Sequence, residues 1–264
     1  MNSELGSVYY DTRRQRFRVN WRRTLSIVVG ELLLREILQA RPFIRGRLLD
    51  VGCGKRPYAA IYEPLVEKSV GTEVVYSPHG VGMADVICLA ERVPFANRSF
   101  DTILCTEVLE HTIDPFTVMR EFARVLKPGG YLLLSVPFIY PIHESPYDHW
   151  RFTSYGLALL CQMAGLEVHY IHTRGGLGAM LMALWGSLSV RAVNALSQLL
   201  RQSIPLRERM IVRWCLALPQ WVYLGLRERC FAKVGSLRSK IAGLITLGYF
   251  VVARRGESHE NTRV

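Results

Sequence analysis

Short apolar stretches alternate with amphipathic ones through the middle of the chain. Residues 48–51 form an apolar run of strand length that leads into a pair of glycines. Similar runs predict five further strands, at residues 69–72, 86–89, 100–105, 131–136 and 167–172. Because helical segments separate these runs, the pattern predicts an α/β doubly wound sheet.

Two helices of this region have clear start signals. Asp114 followed by Pro115 predicts an N-cap and a first helical position. The Lys-Pro-Gly-Gly run at residues 127–130 is expected to end that helix. Thr153 or Ser154 is expected to cap a second helix, before the sixth strand.

The segments on either side of this region are also predicted to be helical. Residues 25–38 place apolar side chains on one helical face, which predicts a helix that covers the ligand pocket or the sheet edge, or alternatively a membrane anchor. Residues 174–243 are apolar with helical periodicity, and helix breaks are expected at Pro205 and Pro219.

Composition excludes several classes of protein. Half of the 264 residues are hydrophobic, which excludes a disordered chain, a collagen and a coiled coil. The six cysteines form no C-x-x-C pair, so we expect a reduced cytoplasmic protein with no metal site. The longest uncharged run, residues 175–190, is shorter than the roughly 20 residues that span a bilayer, which predicts a soluble or membrane-peripheral protein.

The net charge of +11 is unevenly distributed along the chain. The net charge is +6 over residues 1–47, −5 over residues 48–173 and +9 over residues 174–240. The last of these segments predicts a partner such as an anionic membrane surface, peripheral to the inner face of the membrane. The alternative is a solvated surface on which arginine stems cover apolar helix sides. A nucleic-acid partner is disfavoured, because the basic segments are rich in Leu, Ala and Val.

A glycine turn and an acidic residue indicate a ligand site at the carboxyl edge of the sheet. Gly52 and Gly54 permit a tight turn after the first strand, and Glu73 follows 19 residues after Gly54. An acidic residue at about this spacing holds ribose hydroxyls in nucleotide-binding folds. Leu89 and Thr106 are expected at the same edge, after later strands.

Five linked motifs follow one another along the middle of the chain. They are Leu-Asp-Val-Gly-Cys-Gly at 49–54, Val-Pro-Phe at 93–95, Ser-Phe-Asp at 99–101, Glu-Val-Leu-Glu-His at 107–111 and Arg-Val-Leu-Lys-Pro-Gly-Gly at 124–130. In this order they resemble the class I S-adenosylmethionine-dependent methyltransferases, in particular the small-molecule branch that includes ubiquinone-biosynthesis-like enzymes. The resemblance implies a Rossmann-like sheet of seven strands, mostly parallel, with an antiparallel last strand at residues 247–254.

This resemblance also divides the chain into four parts. They are an N-terminal basic segment with an amphipathic helix (1–46), an S-adenosylmethionine-binding core (47–173), a helical, basic and apolar insertion (174–243), and the last core strand with a polar tail (244–264).

The resemblance implies roles for several residues at the cofactor edge. Asp50 and the turn of Gly52, Cys53 and Gly54 would lie against the methionine and ribose of the cofactor. Glu73 would hold the ribose hydroxyls, and Thr106 would line the sulfonium side.

Two positions depart from the family pattern. Residues 55–57 replace the third glycine of the turn, and Leu89 stands where an acidic residue usually contacts the adenine amine. Asp85, Glu91 or the backbone alone are the candidate substitutes for that acid.

Candidate general bases lie in two places. His111 follows the fourth strand, although a histidine there could equally bond a neighbouring carboxylate or backbone group. The loop after the fifth strand contains His143, Asp148 and His149, in a His-x-x-Pro-x-Asp-x-x-Arg-Phe-Thr pattern that resembles methyltransferases of saccharide and lipid-linked substrates. The alternative is that Asp148 and Arg151 only fix the next helix.

These observations favour O-methylation of a small or lipid-linked acceptor, which could be a saccharide. A non-catalytic protein with the same fold and a nucleic-acid methyltransferase are the alternatives. The nucleic-acid reading is disfavoured because no Asn/Asp-Pro-Pro-Tyr motif follows the fourth strand. A dehydrogenase is disfavoured by the missing third glycine. Nothing in the sequence indicates an oligomeric state.

Overall fold

The structure is a computed structural model that describes residues 8–11, 16–19, 27–199, 210–230 and 245–257. Two compact units are present. One comprises Met1–Arg35, Ile139–Pro141 and Thr173–Gly248, and the other comprises Glu36–Phe138, Ile142–His172 and Tyr249–Val264. In chain order the elements are β1 (Val8–Asp11), β2 (Arg16–Val19), α1 (Ile27–Gln39), β3 (Arg47–Val51), α2 (Ala59–Tyr62), β4 (Lys68–Glu73), β5 (Val86–Ile87), β6 (Phe100–Thr106), α3 (Pro115–Val125), β7 (Leu126–Pro137), α4 (Ser154–Met163), β8 (Leu166–Arg174), α5 (Leu177–Leu199), α6 (Met210–Cys230) and β9 (Gly248–Arg255).

Seven strands form one sheet in the order β5-β4-β3-β6-β7-β9-β8, and β1 and β2 form a separate hairpin. Strands β3, β4, β5, β6 and β7 run parallel, with Leu49 beside Val70 on one side and Ile103 on the other. The predicted α/β doubly wound sheet is therefore confirmed. Its third predicted strand is shorter than expected, because only Val86–Ile87 pairs with β4.

The last strand runs antiparallel to β7, as the family resemblance implied. The guanidinium of Arg255, at the end of β9, donates to the carbonyl of Leu126 at the start of β7. Near the other end, the ring of Tyr249 lies 5.6 Å from the ring of Phe138, which follows β7. The two strands therefore run in opposite directions.

The core of the second unit explains why these segments fold as they do. The central strands β3, β6 and β7 are almost wholly buried, which matches their continuous apolar runs. Helix α3 packs its apolar face on them, and its N-cap Asp114 accepts hydrogen bonds from the amides of Phe116 and Thr117. The N-cap of α4 is Thr153, which accepts from the amide of Gly156. Both predicted caps are confirmed.

The Lys-Pro-Gly-Gly run does not separate helix α3 from the next strand as expected. The helix ends at Val125, and residues 126–130 already belong to β7. The reason is that Leu126 is extended and fully buried, so it pairs beside Phe100 before the strand register shifts.

The described part of the predicted insertion consists of α5 and α6 in the first unit. The expected break at Pro219 is wrong, because this residue lies inside α6, and Pro205 lies outside the described residues. An uninterrupted α-helix would use the N–H of residue 219 as the donor to the carbonyl of residue 215, and a proline supplies no such donor. The helix nevertheless continues to Cys230.

Helix α5 is long and apolar enough, by length and composition alone, to cross a membrane, and 17% of its most apolar window is buried. The length of the uncharged run did not identify this helix as a possible membrane span, because that run ends before Arg191. Helix α1 begins at Ile27 and so overlaps the predicted amphipathic helix, of which Leu25 lies outside the described residues. Its residues Ile27, Val28 and Leu32 pack in the apolar core of the first unit.

Candidate active site

The turn after β3 contains two glycines, which let its backbone pass close to neighbouring groups. Gly52 and Gly54 have positive φ angles of 64° and 49°, a region that disfavours side chains. A Cβ at Gly52 would also collide with a methyl group of Val108. Glycine at position 52 is therefore required by both backbone and packing.

Glu73 connects this turn to the end of β4. Its Oε2 accepts a hydrogen bond from the amide of Gly54 at 2.8 Å, and its Oε1 accepts from the amide of Val74 at 2.9 Å. The residue is only 7% exposed. The carboxylate and the glycine turn thus lie together at the carboxyl edge of the sheet, where ligands of such folds bind.

Asp50 lies below the turn and is almost completely buried. It accepts a hydrogen bond from the hydroxyl of Tyr62 at 3.0 Å. Burial raises the pKa of Asp50 to about 7, although the bond from Tyr62 and the charge of Arg56 act against this rise. Burial also raises the pKa of the Cys53 thiol, to about 11, so this side chain is uncharged at neutral pH.

Asp85, a candidate contact for the adenine, is hydrogen-bonded to β4. Its carboxylate accepts from the amide of Gly71 at 2.8 Å and pairs with the guanidinium of Arg56. The side chain is half exposed beside these contacts, and its role at the adenine stays a prediction. Leu89 is half exposed after β5, and Thr106 ends β6 half-buried.

A group of histidines and carboxylates lies after β6 and in the loop after β7; we call it the histidine cluster and define it as Glu110, His111, His143, Glu144 and Asp148. Glu110 is fully buried, and its Oε1 lies 3.7 Å from Nε2 of His111 and 3.9 Å from Nε2 of His143. The Nε2 atom of His111 also lies 3.8 Å from Oε2 of Glu144. Two imidazoles therefore converge on one buried carboxylate.

The other ring nitrogen of each histidine faces an acceptor. Nδ1 of His111 lies 3.1 Å from the carbonyl oxygen of Tyr147, and Nδ1 of His143 lies 3.2 Å from Oδ2 of Asp148. A carbonyl oxygen can only accept, so the contact with Tyr147 favours a proton on Nδ1 of His111. Each ring nitrogen of His143 has a carboxylate oxygen within 3.9 Å, and a neutral imidazole keeps a lone pair on one of them that can take up a proton.

Asp148 is held in place by Arg151. The guanidinium makes two hydrogen bonds to the carboxylate, of 2.5 and 2.7 Å, and the amide of His143 donates to it at 3.0 Å. Burial acts to raise the pKa of Asp148, but Arg151 and His143 outweigh it and lower the pKa to about 2. The pKa of His143 is lowered by burial, which the charge of Asp148 only partly offsets. Asp148 is therefore a permanent anion beside a mainly neutral imidazole.

The same groups could hold a cation. Among the described residues, Glu110, His111 and His143 each offer one ligand atom, and these atoms lie within 4.8 Å of one another. Imidazole and carboxylate are ligands that suit divalent metals such as zinc. The spacing of the cysteines could not predict this set, because none of its members is a cysteine. In addition, His143 lies 32 residues after His111.

The structure brings together three of the four expected catalytic residues. His111, His143 and Asp148 lie in the histidine cluster, whereas His149 is exposed and reaches it through its backbone amide, which donates to the carbonyl of Glu110 at 2.9 Å. The expected catalytic role of the His149 imidazole stays a prediction. Sequence patterns did not mark Glu110 and Glu144 as members of the site, although Glu110 lies in the Glu-Val-Leu-Glu-His motif.

A second loop reaches the histidine cluster from the end of β4. Nε2 of His79 lies 2.9 Å from Oε1 of Glu144, and the rings of Tyr76 and Tyr147 stack with centroids 4.8 Å apart. A Cβ at Gly54 would lie 3.4 Å from the Cβ of His79. These contacts connect the histidine cluster to the glycine turn, so both belong to one site.

Comparisons with known proteins identify the family of the chain. A family model described as a methyltransferase domain matches residues 21–170. The ubiquinone biosynthesis O-methyltransferase of Parvibaculum lavamentivorans is 33% identical over 105 residues, which cover 36% of this chain and 42% of that protein. The enzyme of the same name from Ruegeria pomeroyi is 31% identical over 141 residues, covering 48% of this chain and 50% of that protein. The chain thus spans half or less of the length of these curated relatives.

Solved structures share the fold at low sequence identity. The [4+2]-cyclase SpnF is 18% identical, with a TM-score of 0.55 over 86% of this chain and 81% of that one. An S-adenosylmethionine dependent methyltransferase from Mesorhizobium loti is 13% identical, with a TM-score of 0.50 over 86% of this chain and 100% of that one. Likeness at this level supports the fold alone.

Proposed function

The chain belongs to the methyltransferase domain family, as a class I S-adenosylmethionine-dependent methyltransferase, and on this premise we propose that it methylates an oxygen of a small or lipid-linked acceptor. The observation that carries the proposal is the connection of Glu73 to Gly54 at the carboxyl edge, beside the histidine cluster. The cofactor of the family is S-adenosylmethionine, as the motifs implied.

The residues at the edge fit this cofactor. Glu73 would hold the ribose hydroxyls with the acceptor capacity that its two amide hydrogen bonds leave. The backbone of Gly52 and Gly54 would lie beside the methionine and ribose, where a Cβ would intrude. Asp50 and Cys53 would support the turn from below, and Thr106 would line the reacting side. When bound, the cofactor supplies a methyl group that its sulfonium already activates.

The protein then has two tasks, which are to align the acceptor and to remove its proton. Alignment of two reacting groups is worth about 7–11 kcal/mol. A general base adds about 10²- to 10⁴-fold. We assign the base to Nε2 of His143, which would accept the hydroxyl proton as the acceptor oxygen gains its methyl group. Asp148 would stabilise the resulting imidazolium at Nδ1, and Glu110 would stabilise it at Nε2.

Oxygen is the acceptor atom that this arrangement favours, because a hydroxyl group must lose a proton as it is methylated and the neutral imidazole of His143 can receive it. Exposed apolar side chains on the loops of the site, Tyr76, Ile142 and Tyr147, favour an acceptor with an apolar part. A saccharide carried on a lipid combines both features.

We also propose that the protein is cytoplasmic and peripheral to the inner face of the membrane. Residues 174–240 carry a net charge of +9, and each basic side chain near an anionic leaflet contributes about 1 kcal/mol. This location would suit a lipid-linked acceptor.

Titration calorimetry with S-adenosylmethionine tests the first half of the proposal, and the absence of binding at millimolar cofactor would refute it. Transfer is tested by incubating the protein with methyl-tritiated S-adenosylmethionine and phenols, free saccharides, polyprenol-linked saccharides or RNA. We expect label on a hydroxylated acceptor, and loss of that label in His143→Asn with cofactor binding retained. Label on RNA alone would instead support a nucleic-acid methyltransferase.

A further inference from the structure

Helix α5 carries its large apolar side chains on the face opposite to its buried face. The buried residues are small, namely Ala179, Ala183, Gly186 and Ser197. At 100° per residue, the exposed apolar residues occupy an arc of about 120° on the other side of the helix. They are Leu177, Leu181, Leu184, Trp185, Leu188, Leu196 and Leu199, with exposed fractions from 39% to 79%.

Helix α6 repeats the pattern. Its exposed apolar residues occur at every fourth position, and each is more than half exposed; they are Trp214, Leu218, Val222 and Leu226. The buried residues of this helix lie on the opposite arc; they are Leu216, Ala217, Gln220 and Leu224. We call the two exposed sets together the apolar stripes.

The apolar stripes face away from the core of the first unit. Ala183 of α5 packs in one apolar cluster with Ala217 and Leu224 of α6. The helices approach closely there, since a Cβ at Gly178 would lie 2.7 Å from the ring of Tyr223. The inner faces of the helices are therefore occupied, and the outer faces expose eleven large apolar side chains, a far larger set than the single exposed residues that are normal on soluble proteins.

The charge of this segment indicates what covers the stripes. Residues 174–240 contain eleven Lys or Arg residues and two acidic residues. Apolar helix faces in a strongly basic segment are typical of helices that lie in the interface of an anionic bilayer. We propose that α5 and α6 lie in the plane of such a bilayer, with the apolar stripes at the boundary between headgroups and acyl chains. This inference deepens the peripheral location proposed above and rests on it.

An in-plane position fits the helices better than a spanning one. A helix that crosses a bilayer alone is apolar all round, whereas the stripe of α5 covers about a third of its circumference. The other face of α6 contains Gln220, whose Oε1 accepts a hydrogen bond from the amide of Val28 at 3.2 Å. Exposing that face to lipid would break this buried polar contact.

The test is co-sedimentation of the full chain with vesicles of equal parts phosphatidylglycerol and phosphatidylcholine. The variant replaces Leu181, Leu188, Leu218 and Val222 by Ser. We expect its partition coefficient to fall by at least about tenfold, because apolar burial sets such binding. The matched control is the pair Leu159→Ser and Met163→Ser on α4, which are exposed by 52% and 59%. This pair should change binding less than about twofold.

Further measurements make the test decisive. Dibrominated lipids should quench Trp185 and Trp214 most strongly when the bromine lies near the carbonyl end, and strongest quenching from mid-bilayer would overturn the in-plane position. Equal binding of wild type and variant would overturn the whole inference, as would a wild-type dimer that the variant converts to a monomer with no change in vesicle binding. Circular dichroism and S-adenosylmethionine titration of the same variant show that it is folded. If the wild-type protein does not bind S-adenosylmethionine, the proposed methyltransferase function is refuted, but the inference about α5 and α6 is unaffected.

Discussion

The backbone amide of Gly54 donates to Oε2 of Glu73 across 2.8 Å, so one hydrogen bond joins the turn after β3 to the end of β4. The two residues are 19 positions apart; Gly54 follows β3, and Glu73 ends the neighbouring parallel strand β4. The bond fixes the carboxylate where a ribose would lie, and it orders the turn before any ligand arrives. A turn that is already ordered before binding reduces the loss of conformational entropy that binding must offset.

Glu73→Gln tests the role of that carboxylate. Gln can still accept from the amide of Gly54, but it loses the charge that strengthens hydrogen bonds to ribose hydroxyls. Because hydrogen bonds to charged groups contribute about 1.5–3 kcal/mol, we expect the Kd for S-adenosylmethionine to rise by about 10- to 100-fold. Calorimetric titration measures this, with the exposed Glu67→Gln as the control. Equal affinity of wild type and Glu73→Gln would contradict the assignment.

Comparing Gly52→Ala with Gly80→Ala separates the cost of a side-chain clash from the cost of a strained backbone. Gly52 and Gly80 both have positive φ angles, but a Cβ would collide with Val108 at position 52 and meet nothing within 4 Å at position 80. Gly80→Ala should therefore cost only the backbone term, about 1–2 kcal/mol of the free energy of unfolding. Gly52→Ala should cost more and also weaken cofactor binding.

The double variant Gly52→Ala with Val108→Ala completes this test. It removes the methyl groups that the new Cβ would meet, so part of the lost stability should return. Urea unfolding measures all four proteins. If Gly52→Ala proves no worse than Gly80→Ala, the turn is looser than the structure indicates.

The sequence predicted the sheet well because its signals were local. The buried strands β3, β6 and β7 are continuous apolar runs, and Asp114 with Pro115 marks a helix start through bonds within four residues. Pro219 shows the limit of such signals, since it lies inside α6, a helix whose inner face packs in the apolar core of the first unit. The helix-breaking propensity of a proline does not reveal that packing.

The site was predicted unevenly for the same reason. The spacing between Gly54 and Glu73 is a property of one strand–turn–helix–strand unit, so it is visible along the chain. The histidine cluster instead depends on loops that meet in space. His79 and Glu144 are 65 residues apart, and nothing local marks them as partners. Arg56 pairs with Asp85 in a similar way, over 29 residues, and no local pattern marks this ion pair either.

Asp50 should make stability depend on pH. Its pKa is about 7 in the folded protein, against an ordinary value of 3.8. The folded state therefore binds the proton more tightly than the unfolded state, so stability falls as pH rises from about 4 to above 7. The full difference corresponds to up to about 4 kcal/mol.

Asp50→Asn should remove this dependence, because its amide cannot ionise but can still accept from Tyr62. Urea unfolding at pH 5 and at pH 8 measures the effect. Tyr62→Phe is the matched variant: it deletes the bond that lowers the pKa of Asp50, so the pH window should extend upwards. A wild type and an Asp50→Asn variant with parallel pH profiles would refute the account.

Asp148→Asn tests the coupling that the proposed mechanism requires. The anionic carboxylate lies 3.2 Å from Nδ1 of His143 and stabilises the imidazolium, so its neutralisation should lower the pKa of His143 further. Titration of the histidine ring by NMR measures this shift directly, without any acceptor. Asp114→Asn is the control, since that residue caps α3 and touches no histidine in its hydrogen bonds.

Stability supplies the second measurement for the same variant. The pKa of Asp148 is lowered from 3.8 to about 2, so its contribution is present above pH 4 and is lost as pH falls through 2. Asp148→Asn should therefore cost about 2 kcal/mol at pH 7 and much less at pH 2. An unchanged pKa of His143 together with this loss of stability would mean that Asp148 and Arg151 only fix the loop, and the general base would then have to be His111.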